Sequence, residues 1–183
     1  SAARASYLQA RELFENLRNA DARADLQAAV AADPEFALAW LGLAQASTSA
    51  QEFFDSVERA VNLVDNVSPG ERLWIEGFDA GVKGLPETQR QRYIELAALH
   101  EADPRAHNLL GTHHFGQQNW QAASDAFDKA TQLAPDFSPP YNMLGYARRF
   151  AGDVDGAEAA FQKYIELIPS HPNPYDSYAE LLM

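Results

Sequence analysis

The sequence predicts an all-α fold, a solenoid of stacked antiparallel helix pairs, and three observations carry that expectation. The first is internal self-similarity. Adding 34 carries Asn108 to Asn142, Leu110 to Leu144, Gly111 to Gly145, Ala123 to Ala157, Phe127 to Phe161 and Pro135 to Pro169, with no gap. The second is apolar spacing at i, i+4 and i+7 (Ala123, Phe127, Ala130; Ala157, Phe161, Tyr164), which is one face of a helix. The third is that no stretch alternates with period two, so no sheet is expected.

Taken in order, the copies span 3–36, 37–69, 70–103, 104–137, 138–171 and a partial 172–183, about eleven helices in a single domain over 1–183. The first copy keeps Ala10, Ala22, Leu26, Ala29 and Pro34. The second is marked by Ala39-Trp40-Leu41-Gly42-Leu43-Ala44, with Phe53, Ala60 and Leu63 behind it. The third diverges most: it keeps Gly77, Tyr93 and Leu96, puts Glu76 where Leu is expected, and has a register uncertain by about one residue. The last stops inside its first helix, at Tyr175-Asp-Ser-Tyr-Ala-Glu-Leu-Leu-Met. Ser68-Pro69-Gly70-Glu71 reads as a capping box with proline at the first helical position. Asp33-Pro34, Asp103-Pro104 and Asn173-Pro174 read as further caps. Breakers separate the two helices of a pair at 116–119, Gly152-Asp153 and Gly84-Leu85-Pro86. Gly111 and Gly145, mid-helix, are expected to admit a close partner helix across Ala123 and Ala157.

The pattern of an aromatic, Leu-Gly, Ala, an aromatic, Ala and Pro at fixed offsets resembles the tetratricopeptide repeat. The resemblance implies a right-handed superhelical solenoid of about five repeats plus one partial helix. It also implies a non-enzymatic interaction scaffold, with the first helix of each pair on the concave side.

Composition narrows the function classes. A hydrophobic share of 46% with 22% charged residues is that of a folded chain. The formal net charge of −12 repels phosphate backbones, and Arg90/Arg92 and Arg148/Arg149 form no basic stripe, so no nucleic-acid partner is expected. There is no cysteine, which removes disulfides and thiolate chemistry but leaves the compartment open, cytoplasmic or periplasmic. No apolar run approaches the roughly 20 residues of a membrane span. Because the chain opens at Ser1, it reads as a processed or excised part of a longer protein.

Function is expected on the inner faces of the first helices. Helical spacing places Trp74 and Phe78 there in the third copy, Asn108, Thr112 and Phe115 in the fourth, and Asn142, Tyr146 and Arg149 in the fifth, with Asn173, Asp176 and Glu180 continuing the line. Asparagine can pair with both N–H and C=O of an extended peptide, and aromatics anchor it, so the expected partner is a protein or peptide. The plainer alternatives are that Trp74, one residue off in register, belongs to the core, and that the asparagines are ordinary exposed amides. Some family members grip a carboxylate with Lys, Asn and Arg. The line here offers Asn108, Asn142 and Arg149 without a matching lysine, so that clamp is not expected. The uncovered C-terminal helix makes a homo-oligomer the structural alternative.

No cofactor or metal is expected. His107 and His114 share a face and His113 and His100 lie nearby, but His107 and His114 occupy positions where the repeat carries aromatic packing residues. No H-E-x-x-H, phosphate loop or G-x-S-x-G is present, so catalytic residues are not expected either.

Overall fold

The computed structural model describes all 183 residues. It contains eleven α-helices, one short 3-10 turn (Val64–Asn66) and no strand. The helices fall in pairs along the chain: α1 (Ala2–Glu15) with α2 (Asn19–Ala32), α3 (Ala37–Gln45) with α4 (Ala50–Asn62), α5 (Pro69–Val82) followed by α6 (Pro86–Leu99), α7 (Pro104–Gly116) with α8 (Trp120–Leu133), α9 (Pro139–Ala151) with α10 (Val154–Leu167), and a lone α11 (Pro172–Leu182). The architecture is an all-α helical-repeat solenoid. Two compact units divide the chain, Ser1–Arg92 and Tyr93–Met183, the boundary falling inside α6.

The caps explain most helix starts. Ser68 and Glu71 form the expected capping box, with Pro69 at the first helical position of α5. Asp103 accepts from Arg105 N at 2.9 Å and opens α7. Two of the expected caps differ. Asp33 ends α2 rather than beginning α3, its carboxylate taking the Glu35 N–H in the turn. Asn173 lies inside α11, whose cap is His171. Between helices, Gly84, Gln118 and Gly152, spaced by 34, all take a left-handed backbone (φ +68, +60 and +87), so one repeat position sets the sharp reversal each time.

In the first unit, Tyr7, Ala10, Leu26, Ala29 and Leu43 form one core, and Ala37, Leu41, Ala60 and Ile75 form a second. Arg23 Nη1 on α2 reaches Glu52 Oε2 on α4 at 2.6 Å, and the same carboxylate oxygen accepts from Thr48 N. In the second unit Ala123, Phe127, Leu144, Ala147 and Ala160 form the core. Gly111 and Gly145 do admit a close partner, but the surface they meet is an aromatic ring. An added Cβ would lie 2.6 Å from Phe127 and 2.5 Å from Phe161, both fully buried. Ala123 and Ala157 are buried as well, so the small surface expected opposite each glycine is a ring edge instead.

Candidate functional site

Helices α7 and α9 are the first helices of successive pairs in the second unit, and the lone α11 follows them, each beside the next. Prolines at their first turns and the 34-residue offset bring the same helical face of each into register. Asn108, Thr112 and Phe115 share one face of α7, and Asn142, Tyr146 and Arg149 share the corresponding face of α9, since residues three and four apart are neighbours on a helix. Thr112 is exposed and its hydroxyl donates back to the Asn108 carbonyl at 2.9 Å. The other five are half-buried. The Asn142 side-chain oxygen is buried and has no hydrogen-bond partner.

The rings of the two helices converge. Phe115 and Tyr146 both face Phe150, at 6.1 and 6.4 Å between centroids, and Tyr146 stands edge-on over Phe161 at 5.1 Å. The Tyr146 hydroxyl donates to Glu180 on α11 at 3.0 Å. Burial pushes its phenol pKa up, and the neighbouring Ser177, Glu180 and Arg149 modulate that. Arg149 itself pairs with no carboxylate. The adjacent Arg148 is engaged by Asp128 at 2.7 Å, by the Gly156 carbonyl at 3.2 Å and by Asp153 at 3.8 Å. The face therefore presents amides, a hydroxyl, rings and one unpaired guanidinium.

Trp74 and Phe78 belong to α5 in the first unit. Both are half-buried and pack on the core of Ala37, Leu41, Ala60 and Ile75. Phe78 lies 6.2 Å from Phe53, and the Trp74 indole N–H is buried without a partner. Of the continuing line, Asn173 turns toward α10, where its side-chain oxygen accepts from the Tyr164 hydroxyl at 3.0 Å. Burial raises the Tyr164 pKa to about 12.

The histidines are held by packing. His107 Nε2 lies 2.9 Å from the Glu101 carbonyl, and because a carbonyl only accepts, that nitrogen carries the proton. Tyr141 and Tyr175, at +34 and +68, donate in the same way to the Pro135 and Pro169 carbonyls at 3.0 Å, so His107 fills an aromatic position of the repeat. His113 is 5% exposed and packs edge-on to His114.

Two residues that sequence reasoning left off the site join its rim. Trp120 at the start of α8 lies 5.1 Å from Phe115 and 4.8 Å from Phe150, which lies in the last turn of α9. Trp120 is the first residue of α8, and Phe150 carried no motif. The signal for Phe150 was its mismatch with Gly116, 34 residues earlier.

Family models described as tetratricopeptide repeat match residues 7–58, 104–137 and 138–171, together about two-thirds of the chain. A search of curated protein sequences returned no match. Among solved structures, a thermophilic TPR protein of Thermus thermophilus is similar over 99% of this chain and 99% of its own, with 18% identity and a TM-score of 0.67. YrrB, a TPR protein with an unusual peptide-binding site, is similar over 95% and 90%, at 18% identity and TM-score 0.57. The second TPR domain of human RPAP3, solved in complex with the HSP70 peptide SGPTIEEVD, covers 63% of this chain and 96% of its own, at 17% identity and TM-score 0.60. At such identities the likeness speaks for the fold. No helix is long and apolar enough to cross a membrane.

Proposed function

The chain belongs to the tetratricopeptide-repeat family, and from that premise we propose that it is a non-catalytic interaction scaffold whose second unit holds an extended segment of a partner protein along α7 and α9. Asn108 and Asn142 would pair with the backbone of that segment, Phe115 and Tyr146 would receive its side chains, and Arg149 would meet a carbonyl or carboxylate. Thr112, exposed between them, would line the path. In the first unit the same reading falls on Trp74 and Phe78, whose half-buried rings would supply apolar contact area. The observation that carries the proposal is the convergence of Phe115 and Tyr146, from two different helices, on Phe150. Aromatic anchors surrounded by polar groups are the arrangement from which interfaces draw most of their affinity. The peptide-bound RPAP3 domain and YrrB share the fold, which is compatible with that use of it.

A photoreactive benzoylphenylalanine at Thr112 should capture a partner from native extract, and alanine at Asn108, Asn142 and Tyr146 together should weaken that partner's affinity by about tenfold or more. Equal capture from Gln132, exposed on α8, or an unchanged affinity in the triple variant, would show that the segment binds elsewhere.

A further inference from the structure

The rim of that face, at the edge where α7 meets α8 and α9 meets α10, carries a ledge of its own. There Trp120 packs on Phe150 at 4.8 Å with its planes tilted by 39°, and Phe115 closes the group at 5.1 and 6.1 Å. Phe150 is nevertheless 51% exposed, and Val154 at the start of α10 is 56% exposed. The repeat does not require a ring here. The position equivalent to Phe150 in the preceding copy is Gly116, where an added Cβ would meet nothing within 4 Å. An aromatic ledge that packing does not demand, left half in water, is the kind of surface that a partner covers.

Charge indicates which partner. The second unit carries 5 Lys and Arg against 12 Asp and Glu. Of the acids on the two helices that start at the ledge, Asp125, Asp155 and Glu158 meet no cation, and the first two are the exposed ones, while Arg148 is already held by Asp128 and Asp153. Arg149 lies about 100° around the α9 axis from Phe150, on the face already described. A second copy of this chain would bring another −12 and is disfavoured on the same ground.

We propose that the ledge of Phe115, Trp120 and Phe150 docks a cationic segment of a partner protein that carries one bulky apolar side chain between lysines or arginines. The apolar side chain sits on Phe150 and Trp120, where flanking cations can also face the indole, and the neighbouring charges meet Asp125 and Asp155. This surface adjoins the amide face of α7 and α9 and shares Phe115 and Phe150 with it, but it makes no use of Asn108, Asn142 or Tyr146.

The test uses a fluorescein-labelled nonapeptide with one phenylalanine between two runs of lysines, titrated by anisotropy against the whole chain. The expected result is binding that weakens with added salt. Phe150→Ala should weaken it about tenfold or more, as should glycine in place of the peptide's phenylalanine. The Asp125→Asn/Asp155→Asn pair should weaken it severalfold, and Asn142→Ala should leave it unchanged. Phe150 and both aspartates are at the surface, so these variants keep the core, and circular dichroism verifies it. The proposal is overturned if the peptide does not bind, if Phe150→Ala binds it as tightly, or if a glutamate-flanked version binds equally well. It is also overturned if Asn142→Ala alone abolishes binding, or if light scattering shows a dimer that Phe150→Ala dissolves.

Discussion

Replacing Gly145 by alanine sets two effects of known sign against each other. In a helix interior alanine is favoured over glycine by about 1 kcal/mol, so propensity alone predicts a more stable protein. The structure predicts the reverse. The new Cβ would stand 2.5, 2.6 and 2.7 Å from three carbons of the Phe161 ring, roughly 1 Å inside ordinary contact. The ring cannot swing away, because Phe161 is fully buried and Tyr146 lies edge-on against it at 5.1 Å. The strain must then separate α9 from α10, and overpacking of that kind costs about 1–3 kcal/mol. Subtracting the propensity gain leaves a net loss of up to about 2 kcal/mol.

The assay is urea unfolding followed by far-UV circular dichroism, with slope and midpoint both fitted so that separate unfolding of the two units would be seen. Two controls isolate the cause. Gly116→Ala, at the end of α7 with open space around it, should be neutral or stabilising by up to about 1 kcal/mol. Gly145→Ala combined with Phe161→Leu should lose less than the two separate changes added together, since the smaller side chain relieves the clash. If Gly145→Ala instead raises the midpoint as much as Gly116→Ala does, the close approach of the two helices is not what holds glycine at this position.

Further outcomes follow from local geometry. Gln118 holds a left-handed backbone at the position where Gly84 and Gly152 stand in the neighbouring copies, so Gln118→Gly should stabilise by up to about 1 kcal/mol in the same unfolding assay, and Gly152→Ala should destabilise by a similar amount. Glu52 has its pKa lowered, first by the hydrogen bond from Arg23 and then by the Thr48 N–H. A depressed folded-state pKa adds stability that is complete above the unfolded value of 4.5 and is lost as the pH falls through the folded one. The margin of wild type over Glu52→Gln in urea midpoint should therefore be constant near neutrality and shrink as the pH drops below the unfolded value. A margin that stays flat down to about pH 3 would mean the pair contributes no pH-dependent stability.

The fold was legible because its determinants are periodic. The 34-residue offset, the i, i+4, i+7 stripes and the Ser68–Glu71 and Asp103 caps are local signals, and each has its counterpart in the helices. Other features required tertiary knowledge. Asp33-Pro34 carries the same dipeptide as Asp103-Pro104 but ends a helix, because the first apolar residues of α3 come three positions later. Within the breaker at 116–119 the left-handed residue could not be picked out, since nothing about Gln118 suggests a positive φ. Its place is fixed only by the glycines 34 residues to either side. The ring opposite Gly111 could not be told from the alanine opposite it, because Ala123 and Phe127 share one face of α8 and spacing does not say which is nearer.

Comparison of one copy with the next separates the scaffold from what it displays. Positions that repeat, such as Gly111 and Gly145, Ala123 and Ala157, and Phe127 and Phe161, are buried and hold helices together. At or near the surface other positions change: Thr112 becomes Tyr146, Phe115 becomes Arg149, Gly116 becomes Phe150 and Trp120 becomes Val154. A stack needs only the first set, so chemistry specific to this chain resides in the second. Asn108 and Asn142 cross that division, since they repeat and yet lie on the displayed face, and the Asn142 oxygen is buried without a partner. An orphaned acceptor of that kind costs about 1–3 kcal/mol. A repeat retains it at no loss if a donor reaches it in the bound state, and the N–H of an extended backbone is the donor that the proposed segment would bring.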